Sequence, residues 1–419
     1  MTERTVMERA MTERTMTERT IMERSITEKE QRTEPGTESE KLTAAAEEKQ
    51  LPYAHWLYNI PGMGRKTIQY LLSIKETPEA IYRAKEQELE SLLTALPGKQ
   101  RLVRQIFEAK RNLNIEEAYA RLEKTGIRFA CLGNASYPKR LAGIPDAPYG
   151  LYFRGKLPAE ERLTVAIIGA RGCSEYGRQM ADHFGSMLAM AGVQVISGMA
   201  RGIDGLSQKA ALYAGGYSLG VLGCGVDICY PAENRELFEQ LCKKGGVCSE
   251  YPPGTAPRNS LFPPRNRIIS GISDAVLVIE AKNRSGTLIT VDMALEQGKD
   301  VYALPGRITD ALSEGCNRLL QQGANVVVSA EDMIRSLTGR SNLCGTEKVV
   351  FLSDMQKALL QNLDDTPQSL ETIKERMLLN DKRALSTTEL MGQLVKLSLT
   401  GYVKQIGNSY FVRETFDKK

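Results

Sequence analysis

No run of about 18 apolar residues, the least that spans a bilayer as a helix, occurs in the 419-residue chain. The first residues also lack the apolar core of a secretory signal, so a cytoplasmic protein with no membrane partner is expected. Histidine is nearly missing: His55 and His183 are the only two, and neither stands in a His-rich or Cys-rich cluster. Histidine-based triads and His-ligated metals are therefore disfavoured. The eight cysteines form no CxxC pair, which argues against a zinc site or a disulfide frame and for a reducing compartment. No metal and no cofactor is expected. Net charge is small too, and +4 names no partner by itself. Its distribution is uneven: residues 59–156 carry 17 Lys/Arg against 10 Asp/Glu, whereas 164–338 is about neutral. An anion site in the neutral stretch must come from backbone donors and a local patch.

The length implies several domains. Residues 1–30 repeat a five-residue unit (MTERT, VMERA, MTERT, MTERT, IMERS, ITEKE). Each repeat turns about 140° further round a helix, so its apolar residues never gather into a stripe. Residues 1–48 are read as a disordered low-complexity tail. From 49 to 125 the apolar spacing is helical, through Trp56, Leu57, Ile60, Ile68, Leu71, Leu72, Leu89, Leu92 and Leu93. Within it, NIPGMGRKTIQYLL (59–72) resembles a helix-hairpin-helix turn. Gly62 and Gly64 would let the backbone approach a phosphate, and Arg65 and Lys66 open the following helix with free N–H groups and positive charge. The alternative is a plain helix-connecting turn.

A Pro- and Gly-dense connector with short strands covers 126–163. Strands are then expected at 164–169, 193–198, 218–223, 246–250, 275–280, 300–305 and 325–328, with helices at 176–190, 203–214, 233–244 and 287–297. Nearly continuous apolar strands alternating with helices mean an extended Rossmann-like, doubly wound, mostly parallel α/β sheet over 126–338. Residues 350–419 read as a winged-helix-like module, with helical stretches at 354–363, 368–378 and 386–397 and a hairpin turning at Gly407-Asn408. The third stretch carries only Lys396 as a basic residue, so protein docking or stabilisation stands beside DNA binding as its role.

Ligands of doubly wound sheets gather where strand C-termini meet helix N-termini. Successive strand ends here carry Gly169-Ala170-Arg171-Gly172, Ser197-Gly198-Met199-Ala200-Arg201-Gly202-Ile203-Asp204, Gly223-Cys224-Gly225, Arg284-Ser285-Gly286-Thr287 and Pro305-Gly306-Arg307. Small residues admit phosphate to the backbone N–H groups, helix dipoles favour the anion, and arginine adds forked donors. The first strand lacks G-x-G-x-x-G, no acidic residue closes the second, and no Walker A sequence occurs, so ordinary NAD and P-loop chemistry are disfavoured. A second constellation, SEYPPGTAPRNSLFPPRNRIISGIS (249–273), sets Arg258, Arg265 and Arg267 around Phe262 and Tyr251 on a proline-stiffened loop. Cations and stacking platforms together suit single-stranded nucleic acid. The alternative has Phe262 in the core and Arg265 in an internal ion pair.

The segments SGMARGIDG, GCGVDICYP, SEYPPGTAP, FPPRNRIISGIS, SGTLIT, VYALPG and GCNRLLQQGA together resemble the DNA-processing protein A family, DprA or Smf. The resemblance is dense over about 126–335. It implies a non-enzymatic protein that binds single-stranded DNA, protects incoming strands in natural transformation, displaces single-strand-binding protein and helps load the RecA recombinase. It also implies a homodimer, a helical SAM-like domain before the sheet and often a winged helix after it. The family's phosphate pocket would fall on Gly169, Arg171, Ser197, Gly198, Arg201, Asp204, Ser285, Gly286 and Thr287, with Gly223 and Gly225 on an adjoining loop. Its FPxRNR segment would fall on Phe262, Arg265, Asn266 and Arg267. Asp204 is expected to cap its helix and orient Arg201. Two rival functions are a Rossmann-type nucleoside-monophosphate phosphoribohydrolase, for which Glu280 and Asp292 lack the expected spacing, and a nucleotide-sensing protein.

Overall fold

A computed structural model describes residues 38–94, 100–338, 354–364, 366–381, 386–399, 403–406 and 410–413. The five-residue repeat and the Gly407-Asn408 turn lie outside these residues. The chain forms two compact units: one runs up to Arg154 and includes Leu222–Ile228 and Cys248–Gly271, and the other comprises Gly155–Val221, Cys229–Val247 and the chain from Ile272 onward.

In the first unit, helices span Glu38–Tyr58, Arg65–Lys75, Pro78–Arg83, Glu86–Thr94, Gln100–Asn112 and Ile115–Lys124. Residues 38–48, assigned from sequence to the disordered tail, are therefore helical. Ala44 to Glu48 are strong helix formers, and the Glu47 carboxylate accepts a hydrogen bond from the Ala135 amide at 2.8 Å. Thr77, ahead of Pro78, and Asn114 cap their helices through side-chain oxygens. The periodic residues Trp56, Leu57, Ile68, Leu71, Leu89 and Leu93 are all buried. His55 meets Tyr119, Phe129 and Tyr152 edge-on at 5.8, 5.4 and 5.7 Å between ring centroids. Burial among these rings lowers its pKa from 6.5 to about 4. The connector supplies β1 (Arg128–Cys131) and β2 (Gly150–Gly155), paired antiparallel.

The second unit is built on β3 (Thr164–Ile168), β4 (Gln194–Ser197), β5 (Ser218–Val221), the start of β6 (Gly246–Ser249), β7 (Ala275–Val278), β8 (Asp300–Ala303) and β9 (Asn325–Val326). Six of them lie in the order β5-β4-β3-β7-β8-β9, all parallel. The chain starts in the middle, steps outward through β4 and β5, then returns past β3 to β7 and continues outward, as in a doubly wound Rossmann-type sheet. Every residue of β3, β4, β5 and β7 is buried, because helices cover both faces. Val165, Ile167, Phe184, Leu188, Val195, Leu277 and Tyr302 form the core between sheet and helices.

The terminal module has helices Asp354–Gln361, Leu370–Asp381 and Thr387–Leu399, and strands β10 (Gln368–Ser369), β11 (Val403–Ile406) and β12 (Tyr410–Arg413) in the order β10-β12-β11. The second helix begins two residues later than its spacing suggested, since Gln368 and Ser369 pair with β12. Leu359, Ile373, Met377, Leu390, Leu394 and Phe411 fill its centre. No helix among the described residues is long and apolar enough to cross a membrane.

Candidate nucleic-acid interface

The strand order of the second unit reverses between β3 and β7, where a doubly wound sheet opens its ligand crevice. The loop leaving β3 runs through Gly169 and Arg171 to Ser174, whose hydroxyl caps helix Glu175–Met190 by accepting from the Gly177 amide at 3.1 Å. The head of this helix is where a pyrophosphate would sit, and an acidic side chain already fills it. Glu280, just beyond β7 and 3% exposed, accepts from the Ser174 amide at 2.9 Å and from the Ser174 hydroxyl. The carboxylate complements the positive helix end as a bound phosphate would.

Helix Gly286–Glu296 differs. Ser285 at its N-cap makes no side-chain cap, the Ser285 hydroxyl is buried without a hydrogen-bond partner, and space beside Gly286 is open. Its first amides are thus available to an anion. Thr287 donates to the Gly169 carbonyl at 3.2 Å and ties this helix head to the loop after β3.

The loop after β4 joins the same edge. Gly202, at φ 72°, lies so near that loop that a Cβ would come 2.3 Å from the Ala170 carbonyl oxygen, so glycine is required. Helix Ile203–Tyr213 follows it with no side-chain cap. Asp204, expected to cap this helix, instead accepts from the Gly198 amide at 3.1 Å and fixes the loop. Arg201, which Asp204 was expected to orient, pairs with Glu233 and is exposed, as is Arg171. Ser197 turns inward, donating to the Ile167 carbonyl at 2.6 Å, so its hydroxyl shapes the strand and does not face the rim. Gly169, Arg171, Gly198, Arg201, Asp204, Ser285, Gly286 and Thr287 thus stand on the loops and helix heads that follow three neighbouring strands, β4, β3 and β7.

The remaining sequence-derived residues lie in the first unit. Gly223 and Gly225 are buried. A Cβ on Gly223 would come 2.6 Å from the Phe262 ring, so the ring lies flush on bare backbone. The Gly225 amide donates to the Thr255 carbonyl at 2.9 Å. The segment read as a stiff loop is a helix, Phe262–Ile272, with Pro263 and Pro264 in its first turn, where prolines cost no internal hydrogen bond. Arg265 is buried, with its guanidinium 5.9 Å from the Phe262 ring centroid and Nε donating to the Asn266 side chain at 3.3 Å. Arg267 donates two parallel bonds to Glu250, at 2.8 and 2.7 Å, and others to Asp146 and Pro264. Asp146 also accepts from Arg65 at 3.3 Å, so one carboxylate holds an arginine of each motif. Gly64, Arg65 and Lys66 line an open cleft beside Pro145 and Asp146, and Gly62 makes the turn before it at φ 77°. Sequence reasoning did not foresee Asp146 and Glu250 as partners of the arginines, and weighed Glu280 only as the acid of a hydrolase. The visible signal for Glu280 was an acidic residue closing the apolar run AVLVIE.

Residues 128–338 match the family model described as DNA recombination-mediator protein A. The chain belongs to that family. Among DprA/Smf relatives, Protein Smf of Escherichia coli K12 is 34% identical over 336 residues, 78% of this chain and 88% of its own. The DNA processing protein DprA of Streptococcus pneumoniae R6 is 43% identical over 198 residues, 47% of this chain and 70% of its own. The X-ray structure of the DprA of Streptococcus pneumoniae superposes with a TM-score of 0.59 at 32% identity, covering 68% of this chain and 96% of that one. The family relationship accounts for the mixed α/β architecture with its mostly parallel sheet.

Proposed function

We propose that this chain binds single-stranded DNA along the carboxyl edge of its parallel sheet, protects incoming strands in the cytoplasm and helps load RecA in place of single-strand-binding protein. The observation that carries the reading is the uncapped, open head of helix Gly286–Glu296, with exposed Arg171 and Arg201 on the neighbouring loops. Backbone amides at Gly286 would fix a phosphate, and the two arginines would neutralise its neighbours. Among the described residues at this edge none is placed as a base-edge reader, so contacts would go to the backbone and preference would be slight. Within the first unit, Phe262 is a separate candidate platform for a base, with Arg265, Asn266 and Arg267 holding the helix that presents it. The Gly62–Lys66 turn is a second candidate for a DNA-backbone contact, within the domain we assign as SAM-like. The terminal module is assigned as a winged helix with a docking or stabilising role. Self-association fits the same reading: β9 is an outer strand, and Val326 and Val328 are 58% and 80% exposed.

The nucleoside-monophosphate hydrolase reading is weakened by Glu280, the acid such chemistry would need, because it is buried and engaged by Ser174. Fluorescence anisotropy with single- and double-stranded oligonucleotides over a salt series tests the proposal. Tight, salt-sensitive binding of oligo-dT supports it. Indifference to oligo-dT at low ionic strength, or release of free base from a mononucleotide, overturns it.

A further inference from the structure

Arg201 reaches solvent from the loop after β4, and Glu233 takes its guanidinium. Glu233 sits in the short turn Ala232–Asn234, and this turn is strapped to the arginine's own loop. The Asn234 amide side chain donates to the carbonyls of Met199 and Ala200, at 3.0 and 3.1 Å, so Glu233 is delivered to Arg201 by its neighbour in sequence. Hydrogen bonding from its own backbone amide and from Arg201 holds the Glu233 carboxyl below the usual range, so it stays charged at neutral pH.

We propose that Glu233 is an affinity-setting residue of the strand-binding edge, an internal carboxylate that competes with a DNA phosphate for Arg201. The inference rests on the single-strand reading above. Both partners are solvent-exposed, and exposed ion pairs are weak, so a phosphate can displace the carboxylate. The displaced carboxylate stays beside the incoming phosphate and repels it, because the Asn234 strap keeps the turn in place. Glu233 therefore reduces, without abolishing, the positive charge that Arg201 offers a strand. Removing the negative charge adds one effective phosphate contact.

The test is oligo-dT binding by the full chain, wild type against Glu233→Gln, Arg201→Ala and the double variant, across a salt series. Glu233→Gln is expected to bind about 3- to 10-fold tighter at low salt, with a slope of log affinity against log salt steeper by about 0.7. In the Arg201→Ala background the same substitution is expected to change affinity less than about 2-fold, the non-additivity of residues acting through one another. Unchanged affinity and slope in a folded Glu233→Gln protein overturn the inference while leaving strand binding intact. An equal gain with and without Arg201 overturns it as well, since the carboxylate would then act by general repulsion. Absence of oligo-dT binding in every protein, wild type included, overturns the single-strand reading and this inference with it.

Discussion

A guanidinium at 14% exposure bound twice to a carboxylate at 12% is costly to unmake, because either partner left alone is a charge stripped of water. Arg267→Ala should therefore lower the unfolding free energy by about 3–5 kcal/mol, read from denaturant titration. Arg171, by contrast, is exposed to solvent. Arg171→Ala should leave stability within about 0.5 kcal/mol and weaken oligo-dT binding by about 1–3 kcal/mol, measured by anisotropy. Equal stability of the two variants would show that the buried pair does not anchor helix Phe262–Ile272. His55 supplies a pH signature. Its folded pKa of about 4 lies below the ordinary 6.5, so the unfolded chain takes up a proton first. The associated stability is complete above about pH 6.5 and is lost as pH falls toward about 4. His55→Phe should flatten stability over that window, as thermal unfolding at stepped pH would report. At this scale the sequence is a poor guide to partners. Ser174 and Glu280 lie 106 positions apart, and Glu280 carries no mark of the hydroxyl it will meet. Ser197 was legible as a loop-edge residue, yet its hydroxyl points into the sheet, and which side it faces depends on where β4 ends.

Elements were more legible than contacts, and for a physical reason. TVAII, SLGV and AVLV are buried throughout and almost wholly apolar because both faces of their strands are covered, and such runs leave little choice of structure. Helix Phe262–Ile272 was missed because adjacent prolines read as a break, although in a first helical turn they remove no internal bond. Residues 38–48 were missed because their charged composition resembles the preceding tail while their alanines favour helix. The glycine loops at the sheet edge were legible as sites of close backbone approach to an anion; that Gly202 is also needed where two of these loops meet was not. Gly202→Ala would force a methyl group against the Ala170 carbonyl in a left-handed conformation. Strain of this kind costs on the order of 1–3 kcal/mol. A clear drop in melting temperature together with weaker oligo-dT binding is expected, since the same glycine spaces the two loops that carry Arg171 and Arg201.

For the whole molecule the question is how many strand contacts one assembly brings. Two protomers joined through β9 would place two binding edges on one strand and raise avidity without any new contact within either. Val326→Lys together with Val328→Lys should yield monomers in analytical ultracentrifugation and weaken binding of long oligonucleotides more than of short ones. A double variant that sediments as the wild type would move self-association to another surface. The chain's one tryptophan, Trp56, is buried wholly within the helical first unit. Its intrinsic emission consequently reports on that unit alone, whereas far-ultraviolet dichroism sums both. Melting the protein under the two signals together would reveal, with no label attached, whether the halves come apart in one step or in sequence.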